Sequence, residues 1–395
     1  MNIRMVMVLF DFDTVIERKN TASVKWEQVK QVFGEEDVLP MWVADMDFNP
    51  PHEVAEAIKK RVEHEILGYA FVPDSTAEAI QAWLKKRHNW DIHPAWIAYC
   101  TGIVPAISTA IQAFTEPGDK VLLMSPVYHP FFHMVEKNGR VVANAQLKLT
   151  ENRFEIDWEQ VEARLKEGAK LFLGCNPHNP GGRVWTKDEL VKMADLCAQY
   201  GCLFLSDEIH SDLVYPPHAH VPVASLGDKY RDMTITCIAP TKTFNLAGIK
   251  ASAVIIPNPE LRKKFKDVQA VNGTSALNTF GIVGMEAAYR HGGEWLDALL
   301  VYLKENIDTA ARFIAERLPE IRVMETEGTY LMWLDCRAYG LEEEALKDRL
   351  WKKAKLGVEI GSKFGPGGEG FIRMNIACPR KILMEGLNRL EKAFA

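Results

Sequence analysis

The chain has 395 residues, 47% of them hydrophobic and 25% charged, with a formal net charge of −6. This describes a globular chain with room for one large domain and a smaller one, and its acidic balance excludes a general nucleic-acid surface. No apolar run reaches membrane-spanning length, and the seven cysteines stand singly, a pattern of reduced thiols in a cytoplasmic protein and not of a disulfide framework. No internal period or low-complexity stretch marks a repeat architecture.

In chain order, Met5 to Phe10 is apolar but short, and Asp11 and Asp13 follow at once. It reads as an arm or an extended start, not a signal peptide. Residues 1–50 lack sustained periodicity, and they carry two unusual mixtures of aromatics and acids, Asp11-Phe12-Asp13 and Met41 to Phe48. Asn49-Pro50-Pro51 then starts a helix with Val54, Ala57, Ile58, Val62 and Ile66 on one face, and Gly68-Tyr69 ends it. A second helix is expected over Thr76 to Arg87.

Strand-like runs follow at Lys120 to Met124, Val141 to Ala145, Lys170 to Gly174, Cys202 to Ser206, Met233 to Ala239 and Ser252 to Pro257, with helical patterns between several of them, as at Lys187 to Tyr200. These runs are short and apolar on both parities, which suits a mostly parallel sheet covered on both faces. A long helix over Trp295 to Leu318 carries Leu296, Leu299, Leu300, Leu303, Ile307, Ala310 and Ile314 on one stripe. Strands at Thr329 to Leu334 and Gly370 to Asn375, helices over Leu341 to Lys355 and Lys381 to Phe394, and a Gly365 to Gly368 loop complete the chain. The expected division is 1–50 as an arm and part of a small domain, 51–293 as the large domain, and 294–395 as the rest of the small one.

Ligands of an open α/β sheet gather beyond the carboxyl ends of its strands. Four of these strand ends are followed by Asp207-Glu208-Ile209-His210, by Asn179-Pro180-Gly181-Gly182, by Tyr128, and by Thr241-Lys242. Each has a plain reading as a cap, a turn, core packing or a solvated lysine. Their joint position argues for a site. A lysine between buried strands can give up its proton and form an imine with a carbonyl. Thr101-Gly102-Ile103-Val104, leading into a helix, suits a phosphate, and Thr241 and Lys250 add a hydroxyl and a positive charge. His129, His133, His178 and His210 have no carboxylate or thiol at metal-ligand spacing, so no metal is expected.

The set Asn179-Pro180-Gly181, Ser206-Asp207-Glu208, Thr241-Lys242 and Arg373-x-Asn375 resembles fold-type I pyridoxal-phosphate enzymes of the aspartate-aminotransferase superfamily. Phe12-Asp13, Lys25-Trp26, Trp42 to Phe48 and Asp207-Glu208-Ile209-His210 resemble the MalY/PatB group of bacterial cystathionine β-lyases, or C–S lyases. The resemblance covers nearly the whole chain. It implies an α/β large domain, with a mostly parallel seven-stranded sheet between helices, plus a smaller α+β C-terminal domain, with pyridoxal 5'-phosphate as cofactor. It implies that Lys242 is the Schiff-base lysine and general base, that Asp207 pairs with the pyridine nitrogen, that Asn179 donates to the 3-oxygen and that Tyr128 stacks on the ring. Gly102, Ile103, Thr241 and Lys250 would hold the phosphate, with Tyr69 reaching it in the partner subunit of a homodimer with shared sites. Arg373 would grip the substrate carboxylate, and Trp42, Tyr128 and the Gly361 to Phe364 segment would wall the pocket. Many aminotransferases have a tyrosine where His210 stands, so its role stays open.

The activity implied is α,β-elimination of cystathionine or a related S-substituted cysteine to a thiol, pyruvate and ammonia. Transamination shares every step up to proton removal at Cα, and a cofactor-binding regulatory protein is a third reading.

Overall fold

The computed structural model describes residues 10–395. All of the Met5 to Phe10 stretch except Phe10 lies outside them. Seven strands form the main sheet: β1 (Ile97–Cys100), β2 (Lys120–Leu123), β3 (Val141–Asn144), β4 (Leu171–Cys175), β5 (Leu203–Asp207), β6 (Thr234–Ile238) and β7 (Ser252–Ile255). Their order across the sheet is β1-β7-β6-β5-β4-β2-β3. Only β7 runs antiparallel to its neighbours.

Alternate side chains of one strand enter opposite cores. In β2, Val121 and Leu123 join a core with Ile107, Ala110 and Phe265, while Leu122 joins Trp185, Leu190 and Met193 on the other face. This explains why the strands read as apolar on both parities. β1 has no counterpart among the sequence expectations. It is four residues long and follows the short Pro94–Trp96 turn, too little chain for a period to emerge.

The first helix covers His52–Val62 and stops short of Ile66. Val54 is buried and Ala57 and Ile58 are half-buried, but Val62, Ile66, Leu67, Tyr69 and Phe71 are exposed on this chain. The stripe read from sequence is therefore covered only over its first half. The following helix runs Asp74–His88. The long helix runs Gly293–Arg317 and buries Leu296, Leu299, Leu303, Ile307, Ala310 and Ile314 as expected.

A second, antiparallel sheet holds β8 (Arg322–Val323), β9 (Leu331–Asp335), β10 (Glu359–Ile360) and β11 (Phe371–Asn375), in the order β8-β9-β11-β10. The expected Leu341 to Lys355 helix is a short α-helix, Glu343–Lys347, continued by a wider turn over Asp348–Lys353. The N-terminal segment returns to this part of the molecule: Leu39–Pro40 pairs in parallel with Leu356–Gly357. Phe12 packs edge-on against Phe48 and Trp295. Among the described residues no helix is long and apolar enough to cross a membrane.

Candidate active site

The carboxyl ends of the parallel strands open into a cavity of about 370 Å³ between the two sheets' loops. Its lining includes Ile103, Tyr128, Asn179, Asp207, His210, Lys242 and Arg373, together with Trp42. Residues separated by hundreds of positions thus meet where the strand ends place them.

Lys242 sits in a single helical turn, Pro240–Thr243, directly after β6. That turn is pinned at both sides. Thr243 Oγ1 donates to Asp212 Oδ2 at 2.8 Å, and Phe244, fully buried, packs on Trp83 and Trp295. Asn245 accepts from Met46 N at 2.9 Å and donates to Met46 O and Phe48 O at 3.0 and 2.8 Å. Lys242 is half-buried and lines the cavity, and its Nζ donates to Ala44 O at 2.6 Å. Burial, the largest influence, and nearby Arg373 outweigh the pull of Asp45 and Asp207, so its pKa falls from 10.5 to about 8. An amine in this setting is available as a base near neutral pH.

Asp207 ends β5 in register between Cys175 of β4 and Cys237 of β6. It is buried, and the one hydrogen bond its carboxyl accepts comes from Ile209 N at 3.1 Å. Burial raises its pKa to about 7, against the smaller downward influence of that bond and of Lys242. A carboxylate sunk this deep without a bonded cation calls for one in the cavity. Its neighbour Glu208 turns away and is satisfied, taking Ser206 Oγ at 2.9 Å and His220 Nε2 at 2.8 Å.

Arg373, in β11, points its guanidinium into the same space. Nη1 donates to Asn179 Oδ1 at 2.9 Å and Nη2 to Trp42 O at 3.0 Å, the plane lies 4.8 Å above the Phe364 ring, and Nε is buried without a partner. Trp42 contributes this carbonyl, while its indole leans away onto Phe33 and donates to Lys25 O at 3.0 Å. His210 is buried with Nδ1 unpartnered; burial first, then the Lys242 and Arg373 charges, push its pKa down to about 3, so it is a neutral imidazole.

Gly102 precedes the Ile103–Phe114 helix with φ 147°, a conformation that side-chain-bearing residues rarely adopt. The first N–H groups of that helix have no partner within it, an anion-binding feature, and its first two residues, Ile103 and Val104, line the cavity. Thr241 is buried next to Lys242. Lys250, in left-handed conformation at φ 48°, is exposed, and Tyr69 is fully exposed; neither lines the cavity within this chain. Cavity, buried carboxylate, amine and helix terminus together match a flat, cationic heteroaromatic ring bearing a carbonyl and a phosphate.

Several contributors had no role from sequence. Tyr330 donates to Ala44 O at 2.9 Å, and Asn375 Nδ2 donates to Val43 O and Asp45 O, both at 2.6 Å. The acid–aromatic segment around Asp45 and Asp47 is held by Lys25 and Arg18: Asp47 takes Lys25 Nζ at 2.7 Å, Arg18 Nη1 at 2.7 Å and Trp26 Nε1 at 2.9 Å. His129, Glu359 and Lys363 also face the cavity. The Lys25-Trp26 and Asp45 to Asp47 motifs were the only advance signal of that network. One group among the described residues, His218 with Glu325 and Glu327, has the spacing to hold a metal ion, but Arg183 Nε already stands 3.3 Å from Glu327 Oε1.

Fold, cavity and strand-end residues define the class: the chain belongs to the aminotransferase class I and II family, whose model matches residues 36–390. Within that family it is similar to the MalY/PatB proteins. It is 46% identical over 386 residues to cystathionine beta-lyase PatB of Bacillus subtilis, covering 98% of this chain and 100% of the relative. It is 33% identical to protein MalY of Escherichia coli, covering 98% and 99%. Among solved structures it superposes with a TM-score of 0.95 on cystalysin of Treponema denticola, which contains a pyridoxal 5'-phosphate cofactor, at 37% identity and 98% coverage of each chain. The pyridoxal-phosphate-bound C–S lyase of Staphylococcus hominis gives 0.91 at 32% identity, covering 97% and 98%.

Proposed function

We propose that this protein is a pyridoxal-phosphate-dependent C–S β-lyase that cleaves L-cystathionine or a related S-substituted L-cysteine to a thiol, pyruvate and ammonia. The observation that carries the reading is the pairing, within one cavity, of a depressed-pKa amine on Lys242 with a buried carboxylate on Asp207 that no side-chain cation satisfies. The full-length similarity to cystathionine β-lyases supports the choice of reaction. When bound, pyridoxal phosphate supplies an aldehyde that takes the substrate amine and a protonated ring that draws electrons from Cα.

The chain's own residues then have these roles. Lys242 Nζ would hold the aldehyde group and would accept the substrate Cα proton. Asp207 would hold the ring nitrogen protonated by offering it a buried negative charge. Asn179 would donate to the ring 3-oxygen, Tyr128 would pack against the ring, and the Gly102–Ile103 N–H groups with Thr241 and Lys250 would hold the phosphate. Arg373 takes the α-carboxylate, its orientation set by Asn179 and Trp42 O. His210 is given no proton-transfer role. The exposed Ile66, Leu67, Tyr69 and Phe71 support a homodimer in which Tyr69 reaches the partner's phosphate site.

The test is a coupled assay of pyruvate and free thiol from L-cystathionine. Release of both without any keto acid is expected. An absolute requirement for a keto acid would assign transamination instead, and no spectral response to any amino acid would remove the enzymatic reading.

A further inference from the structure

Part of the cavity wall has no role in the steps above. Glu359 of β10 is the register partner of Arg373 in β11, so the two side chains rise from the same face of the sheet. Glu359 is only 11% exposed. The turn Gly361–Phe364 follows and brings Lys363 back over it, and Lys363 Nζ meets the two Glu359 carboxylate oxygens at 3.1 and 2.9 Å. Both residues line the same cavity as Lys242 and Arg373. His129 beside them is held neutral, chiefly by burial and then by Lys363 and Arg373.

We infer that Glu359 and Lys363 form a receptor for a second amino-acid group at the far end of the sulfur substituent, so that the site favours thioethers with an α-amino acid on both sides of sulfur. This rests on the β-lyase reading. With Arg373 matched to the α-carboxylate, the remaining charges of this wall are one negative and one positive, already in contact. A neutral substituent gains nothing from such a pair. A substituent with a lone carboxylate meets Glu359, and one with a lone ammonium meets Lys363. A zwitterion exchanges with the pair without leaving any charge unmatched, its ammonium on Glu359 and its carboxylate on Lys363. The exchange costs little, because a partly solvated ion pair is weakly held, and Lys363 is 41% exposed.

The experiment compares holoenzyme with Glu359→Gln and Lys363→Met variants on L-cystathionine, S-methyl-L-cysteine and S-carboxymethyl-L-cysteine. Each variant is expected to lose about 10-fold or more in kcat/KM on cystathionine, mostly through KM, as a charged hydrogen bond is removed. S-methylcysteine should stay within about twofold, which also shows that the variants fold and bind cofactor. Glu359→Gln should improve the S-carboxymethyl substrate relative to the wild type. Equal losses on all three substrates, or an unchanged value on cystathionine, would overturn the receptor while leaving the lyase reading standing. Failure of the wild-type enzyme to release pyruvate from any of the three would overturn both.

Discussion

Replacing Asp47 with Ala isolates the network that holds the 42–48 segment over Lys242. Asp47 is 5% exposed and bonds Lys25 Nζ, Arg18 Nη1 and Trp26 Nε1. After the substitution Arg18 keeps Asp45 at 2.7 Å, and Trp26 is open enough for water. Lys25 is the problem. It is 1% exposed, and its remaining neighbours are Asp45 O at 3.4 Å and Asp45 Oδ1 at 3.8 Å, both weak. Leaving such an ammonium uncompensated costs about 3–5 kcal/mol. Equilibrium urea unfolding followed by tryptophan fluorescence reads the loss as a lower midpoint at unchanged slope. The Lys25→Met/Asp47→Leu double variant removes both charges and should recover most of the stability. A single-variant loss under about 1 kcal/mol, the scale of a solvated surface pair, would refute the reasoning.

The pH dependence of that same effect has a definite sign. Burial alone would raise the Asp47 pKa, but Lys25, Trp26 and Arg18 outweigh it and hold it below the ordinary 3.8. A depressed carboxyl stabilises the fold above its unfolded value and loses that contribution as pH falls through the folded one. The gap between wild type and Asp47→Ala should therefore be constant at neutral pH and close in acid below 3.8.

Other expectations concern the cavity. Lys242→Ala should lower kcat by about 10²–10⁴-fold or more, and borohydride reduction followed by mass spectrometry should find no adduct on the 240–250 peptide. Because Lys242 is pulled down to about 8, its neutral, nucleophilic amine becomes more abundant as pH rises, so the rate at which cofactor-free protein takes up added pyridoxal 5'-phosphate, followed by absorbance, should climb through that region; a rate flat from about 6.5 to 9 would count against a depressed Lys242. Arg373→Ala should raise KM by about 10- to 100-fold, for loss of a charged hydrogen-bonding pair to the α-carboxylate, and should let the Lys242 pKa rise, since the Arg373 charge helps hold it down. Gly102→Ala meets no close atom, its nearest contact being Pro105 Cδ at 3.7 Å, but strains φ at 147°. It should weaken cofactor affinity, measured by fluorescence titration, with a backbone cost of about 1–3 kcal/mol.

Much of this architecture was legible before any coordinates. Runs apolar on both parities announced strands covered on two faces, and β2 shows why, sending Val121 and Leu123 one way and Leu122 the other. Lys242, Asp207 and Asn179 were legible because strand-end position is a local property. The early end of the first helix was not: periodicity records an apolar face, not what covers it, and Ile66 and Phe71 are uncovered on this chain. Strand β1 is too short to carry a period.

Local spacing, then, determined the strands, the long helix and the residues offered at the strand ends, since backbone conformation and side-chain alternation depend on near neighbours. Which polar groups meet was decided only by the fold. Asn179 and Arg373 lie 194 positions apart, Lys242 Nζ and Ala44 O 198, and no pattern within one segment encodes either contact. The charge on each of these groups follows from burial and from neighbours brought in by the tertiary structure. That is why Lys242 and Asp207, ordinary by residue type, carry displaced proton affinities here.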